Sequence, residues 1–116
     1  MHDLQYFLFL VPDYAPFNIS LSSKSSTEIF IQWQHLSARE ANGVIRGYNV
    51  YFQDLNRTKI IQNITVPAEN TTTILRKLSK YTLYKIQLQA FTKYGGGNFS
   101  RNFTCRTLED GKIILV

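Results

Sequence analysis

Cysteine is nearly absent: Cys105 is the single one in 116 residues. No disulfide can close inside the chain, and Cys-based metal clusters and redox motifs are excluded by count. An antibody-type immunoglobulin domain, which sets a cysteine pair around a buried Trp, is disfavoured on the same ground. Histidine is scarce too. His2 lies near the N-terminus and His35 at the end of a strand-like run, and no second His or Cys stands at ligand spacing, so a metal site has no donor set. The acidic pair Glu109-Asp110 lacks the ligand count that calcium requires and reads as a solvated linker. No stretch approaches the roughly 20 apolar residues of a membrane-spanning helix. The apolar run Tyr6–Val11 is short, lacks a basic lead-in and is marginal for a signal peptide, so the chain is expected to be one piece of a longer protein. No window carries a sustained helical stripe. The best, Leu36–Ala41, is too short to stand alone and ends at Asn42-Gly43. No segment resembles a nucleophile elbow or another activating constellation, so neither an enzyme nor a cofactor is expected.

What is present is globular. The chain is 44% hydrophobic and 18% charged, with seven Tyr and eight Phe, and its length suits one domain. Such a domain buries roughly two-thirds of the surface its unfolded chain exposes, enough for one core. The net charge is +5, but the 13 basic residues are spread from Lys24 to Lys112 and only Arg76-Lys77 are adjacent. That spread reads as a solvated surface rather than a nucleic-acid site; weak heparan sulfate binding stays as a candidate.

Strand-like runs recur with turn residues between them. Phe17–Ser22 alternates apolar and polar. Glu28–Gln34 puts Ile29, Ile31 and Trp33 on one face, and Gly47–Gln53 does the same with Tyr48, Val50 and Phe52. The interval from Trp33 to Tyr48 is too long for a two-residue hairpin, so Asn42-Gly43 is a turn inside a connection between two sheets. Thr58–Val66 is expected to be a strand ending at Pro67, and Thr72–Leu75 a short one. Thr82–Thr92 shows the cleanest alternation: Tyr84, Ile86, Leu88 and Ala90 face one way, Lys85, Gln87 and Gln89 the other. Gly95–Gly97 is expected to be a loop; with no helix after it, it cannot serve as a phosphate loop. Ser100–Thr107 closes the set with Phe103 and Cys105 inward, where a cysteine behaves as a small hydrophobe. The prediction is all-β: a two-sheet antiparallel immunoglobulin-like β-sandwich of about seven strands.

These segments resemble a known family. Ile29-x-Ile-x-Trp33 followed by Asn42–Phe52 is similar to the second and third strands of fibronectin type III domains. Leu78–Tyr84 resembles the run into the family's tyrosine corner, Ala90–Gly95 with Gly97 and Ser100 its last inter-strand loop, and Thr107–Asp110 its exit into a following module. The likeness covers about Pro16 to Asp110; Lys80, Thr92 and Phe52 depart from the residues usual there. It implies a fibronectin type III domain over 16–110, a loosely ordered extension over 1–15 and a tail or linker over 111–116. It also implies a module of cell-adhesion receptors or receptor-type tyrosine phosphatases: extracellular, non-catalytic, binding other proteins and neighbouring modules, without membrane insertion. An intracellular structural module of a cytoskeletal or muscle protein is the alternative. The Arg-Gly-Asp of integrin-binding members is missing.

The core is predicted from Ile29, Ile31, Trp33, Tyr48, Val50, Leu78, Tyr84, Ile86 and Leu88, with the Tyr84 hydroxyl bonded to backbone near Leu78–Tyr81. The sharpest chemical signal is Asn-x-Ser/Thr, which occurs at Asn18, Asn56, Asn63, Asn70, Asn98 and Asn102, six of the eight asparagines. Chance at this Ser and Thr content gives about one, so these are glycan acceptor candidates and point to the secretory pathway. Two candidate interaction surfaces compete: the sheet face carrying Tyr51, Lys85, Gln87 and Phe91, and the loop pair Leu36–Ala41 with Lys93–Asn98, where Lys93 and Tyr94 stand.

Overall fold

In each long strand, alternate side chains must leave water together, and this decides how the chain folds. The computed structural model describes residues 10–110; His2, most of the N-terminal extension and the tail 111–116 lie outside the described residues. The elements run β1 (Phe17–Ser23), β2 (Ile29–Gln34), α1 (Ala38–Ala41), β3 (Gly47–Asp54), β4 (Ile61–Pro67), β5 (Thr72–Leu75), β6 (Leu83–Thr92), β7 (Gly95–Phe99) and β8 (Phe103–Arg106).

Two antiparallel sheets form. One has the order β1-β2-β5; the other has β4-β3-β6, with β7 and β8 both on the outer side of β6. β8 pairs with the first half of β6 (Leu83–Ile86) and β7 with its last residues (Gln89–Thr92). They are two halves of one strand line, so the sandwich has the seven lines expected. The break between them is built by Ser100. Its N–H bonds Leu88 O at 2.8 Å and its hydroxyl accepts the Leu88 N–H at 2.9 Å. A side chain thus takes the place of a ladder carbonyl.

Every residue predicted for the core is buried: Ile29, Ile31, Trp33, Tyr48, Val50, Leu78, Tyr84, Ile86 and Leu88, joined by Phe52, Val66, Leu75 and Ala90. Trp33 sits between the sheets, edge-on to Tyr48 with ring centroids 5.3 Å apart. Its Nε1 is buried without a well-formed hydrogen bond among the described residues. Burial pushes the Tyr48 phenol up, while the Leu36 backbone and the Trp33 indole pull it part of the way back. The Tyr84 hydroxyl accepts the Ser79 N–H at 2.8 Å, inside the expected backbone interval. Thr107 ties the same corner. Its hydroxyl donates to Ser79 O at 2.7 Å and accepts from Thr82 N at 2.8 Å.

Four local expectations are corrected. The last strand, expected over Ser100–Thr107, is confined to Phe103–Arg106, because Ser100 bonds Leu88 through its side chain and breaks the ladder. The fourth strand starts at Ile61 rather than Thr58, because the Asp54 carboxylate accepts the N–H groups of Asn56 (2.8 Å) and Arg57 (2.9 Å) and holds the intervening chain in a turn. Gly95–Gly97 is not a loop but the start of β7: Thr92 pairs with Gly95, leaving Lys93-Tyr94 as a two-residue turn. Leu36–Ala41 does yield a single helical turn, because Ser37 and Glu40 form a capping box: the Ser37 side chain accepts Glu40 N and the Glu40 carboxylate accepts Ser37 N. The turn closes at Asn42, in the left-handed conformation (φ 57°), and buries Ala41. It lies in the connection between the two sheets, as the Asn42-Gly43 reading requires.

Chain entry and exit lie at opposite ends of β6. Leu10 O accepts the Thr92 hydroxyl at one end, and at the other Leu108 bonds Ser25 and Tyr81. Ten residues of β6 separate these ends by about 30 Å at the usual strand rise.

Candidate functional site

The polar inventory offers two kinds of feature: acceptor asparagines and exposed faces. Among the described residues no three His, Cys, Asp or Glu side chains gather where they could hold a metal ion. Asn18, Asn56, Asn63, Asn70, Asn98 and Asn102 are all exposed, whereas Asn42 and Asn49, the asparagines outside the acceptor pattern, are half-buried. The latter are structural. Asn42 caps α1 and donates to Val11 O at 3.0 Å; Asn49 donates to Gln89 Oε1 and accepts from the Thr65 hydroxyl, each at 3.1 Å.

The acceptors differ in how engaged they are. Asn18 Nδ2 donates to Gln34 Oε1 at 2.6 Å, Asn56 Oδ1 accepts Leu83 N at 2.6 Å, and Asn98 Nδ2 donates to Asp13 O. The side-chain amides of Asn63, Asn70 and Asn102 make no hydrogen bond among the described residues. Asn63 stands opposite Tyr51 in the β3–β4 register and so on the outer face of the larger sheet.

That outer face carries Tyr51, Lys85, Gln87 and Phe91, all half-buried, but it does not present them as one patch. The Thr65–Asn49–Gln89 chain of hydrogen bonds crosses the sheet between Tyr51 and Phe91. Phe91 packs down over Gly47, where an added Cβ would meet its Cζ at 2.8 Å. Tyr51 instead meets Phe99 of β7, centroids 5.4 Å apart and edge to face, a contact not expected from the sequence. The signal lay in the split last strand, which the smooth alternation of its neighbours did not reveal. Beside Tyr51, Lys85 and Gln87 rim a hollow of only about 50 Å³.

Lys93 and Tyr94 project at the entry end, the ammonium 5.0 Å from the ring centroid. With Leu10, Val44 and Arg46 they line a cleft of about 150 Å³, well below the roughly 300 Å³ at which small-ligand sites begin. Leu10–Asp13, assigned from sequence to the extension, dock against this end: Pro12 is fully buried. A Cβ on Gly97 would come within 2.2 Å of Pro12 O, so glycine there permits the close approach. A larger open groove of about 570 Å³ runs beside β1 and the β7–β8 break. Its ionisable side chain is Arg101, which stacks 4.8 Å above Phe103.

Cys105 is half-buried and unpaired, 3.3 Å from the Ser23 hydroxyl. The Arg57 and Asn56 backbone N–H groups hold the Asp54 carboxyl below the usual carboxylate range despite the opposing effect of burial.

Two packed antiparallel sheets, a Trp between them and a tyrosine hydroxyl locking the β5–β6 corner define an immunoglobulin-like β-sandwich module. The fibronectin type III domain profile matches residues 14–106, and the chain belongs to that family. It is 38% identical over 103 residues to the human cell adhesion molecule DSCAM, covering 86% of this chain and 5% of that protein. It is 35% identical over 91 residues to Protein sidekick of Drosophila melanogaster, covering 78% and 4%. The chain therefore spans about one-twentieth of the length of these relatives. Among solved structures, the chicken CNTN1 FN1-FN3 domains superpose with a TM-score of 0.76 at 26% identity, covering 84% of this chain and 33% of that one. The third fibronectin III domain of human KIAA0343 protein superposes at 0.78 and 21% identity, covering 89% and 88%.

Proposed function

We propose that this chain is a non-catalytic spacer and protein-interaction module in the extracellular part of a larger cell-surface adhesion protein. The observation that carries this reading is the sorting of its asparagines: the six in acceptor pattern are all solvent-exposed, and the two outside it are half-buried and structural. Exposed acceptors serve a chain that traverses the secretory pathway; a cytosolic structural module gains nothing from them. The separation of entry and exit supports a unit in a string of neighbouring modules. The adhesion relatives point the same way.

Contact with partner proteins is assigned to the entry end, around Val44, Lys93 and Tyr94, in preference to the face of Tyr51, Lys85, Gln87 and Phe91. The sheet face is divided by its own hydrogen bonds and has Asn63 beside Tyr51. The entry end offers Val44 at 73% exposure and Tyr94 at 44% on loops carried by a rigid scaffold. Heparan sulfate contact is weak in this reading. Arg76 is paired with Glu28 and Lys80 with Asp110, and the remaining cations are dispersed. Retention on a heparin column is expected to be lost below physiological salt.

Secretion of the 116-residue chain from a eukaryotic host, followed by glycosidase treatment, tests the reading. A mass decrease of several glycans is expected; an unchanged mass would transfer the module to the intracellular structural class.

A further inference from the structure

Each sheet of an open sandwich ends in strands with unpaired backbone groups, and each such edge can template the strand of another molecule unless it is blunted. Three of the four edges here are blunted in recognisable ways. β1 has a register shift between Phe17 and Ser20, with Asn18 at φ 53°. β5 is only four residues long. The β7–β8 line is shifted in register between Gln89 and Phe91 and broken at Ser100–Asn102. It also carries Arg101 and Arg106, and Leu10–Asp13 dock across β7 through Asp13 O and Pro12.

β4 has none of these devices. Its seven residues, Ile61–Pro67, pair with β3 in unbroken register from Gln53↔Ile61 to Gly47↔Pro67. It contains no charged residue, and its proline stands only at the last position. Ile60 and Ile61, where the strand begins, are 60% and 64% exposed. A long, regular, uncharged and partly apolar edge is the kind that adds strands. At its third position stands Asn63, exposed, with a side-chain amide that makes no hydrogen bond among the described residues and with Thr65 completing the acceptor pattern.

We propose that an N-linked glycan on Asn63 is the guard of this edge. This rests on the secretory reading above. A strand added to β4 would run about 4.8 Å away and place its own side chains level with Asn63. A branched glycan leaving the outer face at that position overhangs this space and meets the side chains an added strand would set beside Asn63, so a second copy cannot pair. The sugar thus takes the part that lysine, proline or a bulge plays at the other edges.

The test uses the chain secreted from a eukaryotic host as wild type, Asn63→Gln, Asn102→Gln and the double variant Asn63→Gln with Ile61→Lys. Site occupancy is read by mass spectrometry and association by sedimentation velocity across a concentration series. The expected result is an occupied Asn63 and monomeric wild type. Asn63→Gln should show at least a tenfold larger self-associated fraction, Asn102→Gln should match wild type, and the double variant should return to monomer because a charge replaces the lost sugar. Trimming the glycans of folded wild type with an endoglycosidase to one N-acetylglucosamine per site, which adds no charge at Asn63, must shift association toward the Asn63→Gln behaviour, which covers the case of a variant that folds poorly. An empty Asn63 beside occupied sites elsewhere would overturn the guard while leaving the secretory reading intact, as would an Asn63→Gln protein as monomeric as wild type. If no site is occupied, the secretory reading falls and the guard falls with it.

Discussion

The two ends of the sandwich are held together by different means. At the exit end, side chain to backbone bonds tie the β5–β6 corner to the last strand and to the turn after β3: Thr107 to Ser79 and Thr82 and Asn56 to Leu83, with Tyr84 to Ser79 closing the corner itself. At the entry end a local motif and a docked N-terminal segment stand side by side. A capping box shapes one helical turn, and Leu10–Asp13 lie against it through Thr92, Asn42 and Asn98. Ties to neighbouring strands make the exit corner part of the cooperative unit, whereas the α1 turn, held by its own capping box, can fray at its exposed first residues with less effect on the core.

Four substitutions sharpen or break this contrast. Trp33→Ala, which empties the space both ends share, should cost about 3–5 kcal/mol and is read by denaturant unfolding; a near-normal midpoint would remove the common core from the comparison. Thr107→Val at the exit end strands the Thr82 N–H and the Ser79 carbonyl and should cost about 2–3 kcal/mol.

Asp54→Ala removes the acceptor of two turn N–H groups and should cost about 1–2 kcal/mol at neutral pH. Because the folded pKa of Asp54 is lowered, its contribution is fully present above the unfolded value of about 3.9 and is lost as pH falls through the folded one. The gap between wild type and variant should hold from neutral pH down to about 5 and narrow below about 4. A gap that widened in acid would contradict the assignment. Ser37→Ala at the entry end should cost least, about 0.5–1 kcal/mol, with fraying confined to α1 in amide exchange. Protection lost equally at Thr82 and Thr107 would show that the two ends are not separable.

The fold was legible because its core is written in period two. Ile29, Ile31 and Trp33, then Tyr48 and Val50, then Tyr84, Ile86 and Leu88 each alternate without interruption, and burial follows parity residue by residue. What was misread are places where a side chain replaces a backbone partner. Asp54 accepts for a turn, which delays the fourth strand; Ser100 accepts for a ladder, which splits the last; Ser37 and Glu40 satisfy each other, which rescues a helix too short to form alone. Such bonds depend on geometry that composition does not carry. Thr107 was within reach, since it continues the inward parity of Phe103 and Cys105. The acceptor asparagines were legible as a pattern, but their sorting by exposure and the bareness of β4 needed the register.

The single unpaired cysteine has a mechanical consequence. With no covalent cross-link bridging the sheets, a module pulled through its two ends could release all of the chain between Phe17 and Thr107 once the sandwich opens. At about 3.4 Å per extended residue that is on the order of 300 Å, some ten times the folded span. Nothing would have to be reduced before this extension or reoxidised after it, so a tether built from such units could give way under load and recover its length when the load is removed.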